Sequence, residues 1–536
     1  MSRNNTRILG NKLFMKEVLP GSREENSIIR ELKSIFSEYI DWFDIIQTPS
    51  LTWFDKECLL ECGSSVYKCR ALPYTISAEI EGYPVEAVLD NGYIKLLEDR
   101  EYSIVFIEFP LEIDLVKYIV LELSKYDNVQ AIIFYDKNPG IIRCCVVTGD
   151  YIYSTYTGSP PPVPVLSIAR EDYSEIIRSK CRLRISVKTL VNKYSTAKTI
   201  VMGINGSKDD EIHLTAHHDH WFTGFSDNLV GLEILYKLAT IFSEKRSVYS
   251  IVLISYTSRE LGGLNYSSWY WSWGSRYYLK TISERSGLDK VFLNINIDAI
   301  YDYPIEIYSN PSLKHCIEEL NNLRFKYVGF DNIGFDSFSY TINGIPACTF
   351  TSFNTMKSFY HTNMDNGVGF KYEVLGNFVE NVKRLIRCIE EKNVKYSSMI
   401  EYMMNTIDYR DSIELRNLLT KLMYLDKLIE NEEERVRFIT KYFTSFTYIP
   451  GLKYEYVSDI LGSIKLLKRL MNTIGEYLDR SIEVIDIDNV IASFKITKYN
   501  EKEILDILNK LISTRSIQYD RVFEKEVVKY IRSRKE

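Results

Sequence analysis

The stretch from His213 to Gly231 reads HLTAHHDHWFTGFSDNLVG and holds four of the six histidines in the chain. Alternating apolar residues at its start predict a strand, and apolar residues at helical spacing after it predict a helix. The polar residues between them therefore form a loop at a strand end, where α/β proteins place their reactive groups. Imidazole and carboxylate together suit a borderline metal such as zinc. We expect this loop to bind a metal ion.

The overall composition is ordinary for a globular protein. Of the 536 residues, 45% are hydrophobic and 26% are charged, and the formal net charge is −6. This charge gives no electrostatic reason to bind nucleic acid or an anionic membrane. The nine cysteines show no zinc-ribbon spacing, so we expect reduced thiols and a cytoplasmic location. We also expect neither a signal peptide nor a membrane span, which needs ~20 uncharged apolar residues.

Polar side chains follow several buried strands at the point where each strand ends. In chain order these side chains are His217, Glu260, Asp298 and His361. Sheets of parallel strands deliver ligands in this way, from the carboxyl ends of neighbouring strands. With Asp227, the set holds two histidines and three acids. That is too many for one tetrahedral zinc, but it suits two zinc ions that share a bridging carboxylate.

In this order the residues resemble those of the co-catalytic zinc exopeptidases, which include bacterial zinc aminopeptidases and the glutamate carboxypeptidase and transferrin receptor group. The matching pieces are HHDHW (217–221), SDN (226–228), SREL (258–261), NID (296–298), FDSFSYTINGIP (335–346) and YHTNMD (360–365). The resemblance implies a metal-dependent exopeptidase that removes terminal residues from peptides, most of all an aminopeptidase. It also implies a centre of two zinc ions.

The same resemblance assigns the metal ligands. It implies that one metal is held by His217, Asp227 and Glu260. It implies that the other is held by Asp227, Asp298 and His361, with Asp227 as the bridge. From its position at the start of a helix alone, Asp227 is also an N-cap candidate.

Two further residues, Asp219 and Arg259, belong to the implied catalytic set. Asp219 follows His217 by two residues, so its carboxylate is placed to accept the second ring N–H of that histidine. The family has two adjacent glutamates where this sequence has Arg259-Glu260, and the first of them is the general base. A guanidinium cannot accept a proton from water, and loss of a general base typically costs ~10²–10⁴ in rate. Asp336 is a candidate substitute, whereas Arg259 is suited to bind a substrate carboxylate or the oxyanion.

We expect an α/β fold: a mixed-sheet zinc-exopeptidase catalytic domain with a β-rich apical domain and a helical C-terminal domain. The expected segments are an N-terminal helical segment of the catalytic domain (1–49), a protease-associated-like β-rich domain (50–180), the catalytic domain (181–390) and a helical, dimerisation-like domain (391–536). The resemblance of the helical C-terminal part to the dimerisation domain of that family implies a homodimer. Within the catalytic domain, residues 182–191 and 199–204 are typical of a hairpin.

Several functions compete for this sequence. The first is the aminopeptidase, with a peptide as substrate and neither nucleic acid nor membrane as partner. A carboxypeptidase is a variant, because Arg259 near the metals favours a substrate that carries a carboxylate. A catalytically impaired relative that binds metal and acts in binding or assembly is the second reading, since Arg259 replaces the base. A glutaminyl-cyclase-like transferase on the same fold is a third.

Overall fold

The structure is a computed structural model that describes residues 6–90, 93–110, 114–149, 158–320, 322–331, 333–406, 431–447, 480–485 and 491–496. Most of the predicted C-terminal domain, residues 391–536, lies outside these ranges. Within them, no helix combines the length and the apolar composition needed to cross a bilayer.

The described chain forms 17 strands and 11 α-helices. The strands are β1 (Trp42–Cys62), β2 (Ser65–Lys68), β3 (Arg70–Ala71), β4 (Ala78–Asp90), β5 (Tyr93–Leu96), β6 (Ser103–Glu108), β7 (Val129–Tyr135), β8 (Val165–Ile168), β9 (Leu183–Ile204), β10 (Glu211–His217), β11 (Ser250–Tyr256), β12 (Val291–Ile297), β13 (Ile305–Ser309), β14 (Phe325–Gly329), β15 (Ala347–Thr351), β16 (Arg480–Ile485) and β17 (Ile491–Ile496). The helices are α1 (Arg23–Phe36), α2 (Asp114–Leu123), α3 (Arg170–Ser179), α4 (Val230–Glu244), α5 (Trp273–Glu284), α6 (Lys314–Leu320), α7 (Ser337–Thr341), α8 (Phe353–Met356), α9 (Glu373–Lys392), α10 (Tyr396–Thr406) and α11 (Glu432–Thr447).

The catalytic part is built on a mixed sheet in the order β14-β13-β15-β12-β10-β11-β9, continued by β1. Strands β15, β12, β10 and β11 run parallel. They are almost fully buried, as expected for strands that are covered on both faces. Helices α4 and α9 pack in the largest core on one side, and α5 and α7 lie near a smaller core on the other. The predicted mixed α/β fold is therefore confirmed.

The predicted hairpin over 182–191 and 199–204 is wrong, because β9 runs through both segments as one strand of 22 residues. Its partner is β1, antiparallel from Trp42 opposite Gly203 to Cys62 opposite Leu183. The polar residues between the two apolar runs look like a turn in the sequence. Pairing with β1 keeps these residues extended. The register of the two strands shifts at β-bulges near residues 50–52 and 55–57 of β1.

The segment between β1 and β9 forms a second part of the sheet. Here β4, β6, β7 and β8 are parallel neighbours, and β3 pairs with β8 at the edge. Two separate apolar cores include residues from its strands. We call residues 63–182 the insert. The expected boundary at 49/50 falls within β1, and the one near 180/181 falls just before β9. Because β4 of the insert pairs with β9, hydrogen bonding between strands continues from the main sheet into the insert.

Six of the nine cysteines pair in the structure, so the expectation of reduced thiols is wrong for them. The disulfides join Cys58 to Cys69, Cys62 to Cys181 and Cys316 to Cys388. Sequence spacing did not indicate them because each partner lies on a different element. The expected cytoplasmic location rested on reduced thiols, and the three disulfides remove that reason for it.

The Cys62–Cys181 disulfide joins the two ends of the insert across a sequence separation of 119 residues. We expect Cys181→Ser to lower the free energy of unfolding by about 5 kcal/mol, because the bond restricts a long loop in the unfolded chain. Cys69→Ser is the matched control. It opens a loop with a separation of 11 residues, for which about 3 kcal/mol is expected. Denaturant titration of both variants measures the difference, and equal losses would contradict the loop-length explanation.

Candidate metal centre

The site lies at the carboxyl edge of the parallel strands. His217 is the last residue of β10, and Asp298 directly follows β12, the neighbour of β10. Glu260 comes from the loop after β11, the other neighbour. Asp227 lies in a π-turn, Phe225–Leu229, that leads into α4. Its side chain makes no capping hydrogen bond and the residue before α4 is Leu229, so the N-cap reading of Asp227 is wrong.

The five predicted metal ligands form two groups of three. We call the first the His217 set (His217, Asp227, Asp298) and the second the His361 set (Asp227, Glu260, His361). In each group, one ligand atom per residue lies within 4.8 Å of the others. Nε2 of His217 is 3.1 Å from Oδ1 of Asp227, and Nε2 of His361 is 3.2 Å from its Oδ2. Asp227 therefore presents one oxygen to each group.

This grouping corrects the expected assignment of ligands. The resemblance placed Glu260 with His217 and Asp298 with His361, whereas the structure exchanges the two acids. Asp298 follows its strand immediately, so its Oδ1 comes within 3.5 Å of Nε2 of His217. Glu260 lies four residues beyond the end of β11, and its Oε2 comes within 2.8 Å of Nε2 of His361. Asp227 has the predicted central place in both.

The donor atoms fit a cation. Three buried ligand atoms have no hydrogen-bond partner among the described residues: Oδ2 of Asp227, Oε1 of Glu260 and Nε2 of His361. The short distances from His361 to the two acids are thus close approaches without hydrogen-bond geometry. An unsatisfied buried polar atom costs about 1–3 kcal/mol. A divalent ion would supply the missing partner, and a set of imidazole and carboxylate ligands suits zinc.

The electrostatics of the metal-free chain agree with this fit. Burial works to lower the pKa of His361, but the charges of Glu260 and Asp227 outweigh it and raise that pKa to about 9. Burial works to raise the pKa of Asp227, but His217 and His361 hold it well below its ordinary value. The carboxylates therefore favour positive charge on the rings, at the places where a cation would lie.

Asp219 orients the ring of His217 through the main-chain carbonyl of Asp219. Nδ1 of His217 donates to the carbonyl oxygen of Asp219 at 2.9 Å, so Nε2 is the nitrogen left to face the ligand set. The carboxylate is 3.9 Å from Nδ1, which corrects the expectation that it accepts this proton. It accepts instead from the backbone N–H groups of Arg259 and Glu260, both at 2.9 Å to Oδ2. Burial raises the pKa of Asp219 to about 7.

Arg259 lies beside the His217 set, as its position in the sequence predicts. Its Nη2 donates to Oδ2 of Asp298 at 3.3 Å and to the carbonyl of Gly334 at 2.6 Å. Its Nε is 3.6 Å from Oδ2 of the fully buried Asp336, and this N–H has no hydrogen-bond partner. Asp336, the candidate substitute base, is thus an ionic partner of the guanidinium. Burial works to lower the pKa of Arg259, but Asp298 and Glu260 raise it well above its usual value.

Two supporting residues escaped the sequence analysis. Asp365 accepts the backbone N–H groups of Ser226 and Asp227, at 2.9 and 3.1 Å, and so holds the turn that carries the shared ligand. Trp221 donates its indole N–H to Oε2 of Glu260 at 3.1 Å. Both are part of the quoted motifs, yet a motif does not indicate which neighbour a side chain will contact. His213, His218 and His220 bond to groups outside both ligand sets.

The loop that carries His361 is held by the insert. The guanidinium of Arg143 donates to the carbonyl oxygens of Tyr360 at 2.6 Å and Ser358 at 2.8 Å. The backbone N–H of Cys144 donates to the carbonyl of His361 itself at 2.8 Å. Arg143 is fixed in turn by an ion pair with Asp136 at 3.0 Å. A metal ligand on one part of the chain is therefore positioned by residues more than 200 positions away in sequence.

We expect Arg143→Met to weaken metal binding at the His361 set by roughly 10-fold to 100-fold, the usual effect of removing a group that orients a ligand. The His217 set, which Arg143 does not touch, should keep its affinity. Titration of metal-free protein with cobalt, followed by visible absorption and calorimetry, resolves the two sites. Arg182→Met, which breaks an exposed ion pair of the insert, is the control. Equal weakening at both sites, at an unchanged melting temperature, would contradict this role of Arg143.

Comparison with solved structures supports the same fold. A peptidase M28 precursor from Shewanella amazonensis SB2B superposes with a TM-score of 0.57 at 14% identity, covering 71% of this chain and 92% of its own. A zinc aminopeptidase from Bacillus subtilis superposes with a TM-score of 0.53 at 17% identity, covering 70% of this chain and 91% of its own. At these identities the likeness concerns the fold.

A mixed sheet that brings two candidate ligand sets to its carboxyl edge is the arrangement expected of a metal-dependent peptidase. Residues 199–386 match the model of peptidase family M28. The predicted resemblance to the co-catalytic zinc exopeptidases is therefore confirmed over this part of the chain, and the prediction of a metal-dependent peptidase is confirmed.

Proposed function

We propose that the protein is an exopeptidase with two zinc ions, and that it removes amino-terminal residues from peptides. The observation that carries the proposal is the position of Asp227 between two complete ligand sets, each with one histidine and one further acid. A single metal would leave one of these buried sets unused. The homodimer and the protease-associated-like nature of the insert remain predictions beside it.

Each residue of the centre has a proposed task. When bound, two zinc ions would polarise a carbonyl and lower the pKa of water toward neutrality. His217 and Asp298 would hold one ion and Glu260 and His361 would hold the other, and Asp227 belongs to both sets. Asp219 keeps the Nε2 atom of His217 free to act as a ligand. Arg259 holds Asp298 through the hydrogen bond of 3.3 Å from Nη2, and its positive charge favours the negative charge that develops on substrate oxygen.

Arg259 favours a second candidate, in which the chain binds metal and peptide but hydrolyses slowly or not at all. Arg259 stands in the sequence where the general base is expected, and a guanidinium cannot accept a proton from water. Asp336, the candidate substitute, forms an ion pair of 3.6 Å with Arg259 itself. In this second candidate, the chain acts as a binding or assembly protein, and the ligand sets serve structure and recognition.

The test is to incubate the zinc- or cobalt-loaded protein with peptides whose ends are free or blocked, and to read the products by mass spectrometry. We expect stepwise loss of single residues from a free amino end, abolished by a chelator and restored by metal. Loss from the carboxyl end would make the protein a carboxypeptidase. Cleavage that persists after metal removal would refute the proposal. Intact peptides, with folded and metal-loaded protein, would favour the binding protein.

A further inference from the structure

A cleft of about 400 Å³ lies between the insert and the loop that leads to His361. One wall is formed by the carboxyl ends of the strands β4, β6 and β7, and Val88 and Phe109 are among its apolar residues. Lys357 and Ser358 form the opposite wall. Its volume is within the range of small-ligand sites, and the carboxyl ends of parallel strands are where α/β sheets bind ligands.

The cleft is close to the candidate metal centre. Ser358 lies three residues before His361, and three residues span at most ~10 Å. Arg143 lines the cleft and also donates to the carbonyls of Ser358 and Tyr360. A peptide in extended form, with one bond at the metals, therefore reaches the cleft with a residue three or four positions further along.

The charges of the cleft favour an anionic end on that peptide. The charged residues that line the cleft are the cations Lys137, Arg143 and Lys357 and the carboxylates Glu108 and Asp136. Arg143 and Asp136 neutralise each other in an ion pair of 3.0 Å. Among the described residues, no carboxylate lies within salt-bridge distance of Lys137 or Lys357. Two ammonium groups beside an apolar wall suit a carboxylate attached to an apolar side chain.

We propose that this cleft binds the carboxyl-terminal end of a short peptide substrate, so that the protein prefers peptides of about three to five residues with a free carboxylate and an apolar last residue. This inference rests on the proposed aminopeptidase function and specifies its substrate class. Because the cleft wall is the loop of His361, a bound peptide end also touches the segment that positions this metal ligand.

The test compares tetrapeptides that differ only in a free or an amidated carboxyl end. In the wild type, amidation should raise KM by about tenfold, the usual worth of a charge-assisted contact, and leave kcat nearly unchanged. Lys357→Glu should abolish this preference, and Lys137→Glu should reduce it. Lys208→Glu, a substitution outside the cleft, is the control and should retain it. A wild type indifferent to amidation, or a Lys357→Glu variant that keeps the preference, would overturn the proposal.

Calorimetric binding of the same two peptides separates this inference from the proposed function. If neither peptide is hydrolysed, the aminopeptidase fails, but tighter binding of the free-carboxylate peptide that is lost in Lys357→Glu still supports the cleft. If both peptides are hydrolysed and bind equally, the cleft proposal fails and the aminopeptidase stands.

Discussion

Arg259→Glu should hydrolyse peptides about 10²–10⁴-fold faster than Arg259→Gln, because only the glutamate adds a general base beside the centre. The side chain at this position already reaches the His217 set, since Nη2 of Arg259 lies 3.3 Å from Oδ2 of Asp298. A carboxylate there is next to the ligands without being one of them. We expect Arg259→Glu also to exceed the wild type, whose guanidinium cannot accept a proton.

The glutamine variant is the matched control because it removes the positive charge without supplying a base. Both variants leave the buried Asp336 without its cationic partner, so both should lose stability to a similar degree. Rates are measured with zinc content and melting temperature determined on the same samples. An Arg259→Glu variant that is slower than both wild type and Arg259→Gln would mean that the arginine itself contacts substrate.

Asp227→Asn should abolish measurable hydrolysis, with a loss of at least about 10³-fold. Metal contributes several kcal/mol to a hydrolytic transition state, and about 1.4 kcal/mol corresponds to tenfold. Asp227 is the one residue whose two oxygens serve both ligand sets, at 3.1 and 3.2 Å from the two histidine nitrogens. The neutral amide keeps the size of the side chain but removes the charge that both sites share.

The measurement is metal content per chain by atomic emission, followed by peptide hydrolysis at saturating zinc. Asp302→Asn is a suitable control, since Asp302 lies near Asp298 in sequence but pairs with Lys371 away from the centre. We expect the control to keep full metal content and rate. Retention of both metals and of activity in Asp227→Asn would remove the shared carboxylate from the proposed centre.

Local patterns in the sequence predict the elements that carry the site. The strands β10, β11 and β12 each end in or precede a metal-binding side chain, so the strand-end positions of His217 and Asp298 follow from the pattern. The family resemblance added the order of the motifs. What these patterns leave open is which side chains meet. The exchange of Asp298 and Glu260 between the ligand sets depends on where each loop turns after its strand.

Contacts between distant segments account for the remaining differences. The polar residues near Asn192 have the local composition of a turn, yet they pair with Thr52 of β1 and stay extended. The hold of Arg143 on the loop of His361 joins residues separated by 217 positions, and no local pattern encodes that distance. The carboxylate of Asp219 was expected at the histidine because of its spacing, but two backbone N–H groups compete for it more effectively.

The paired strands β1 and β9 have a consequence for the order in which the chain folds. They form the stem of a very long hairpin, and the insert of residues 63–182 is its loop. Closing such a loop costs conformational entropy before any stem contact is gained, and long-range pairing of this kind is slow. Compaction of the insert brings the two stem strands together at lower cost. Synthesis from the amino end favours this order, since the insert is complete before β9 and the strands that carry the metal ligands emerge.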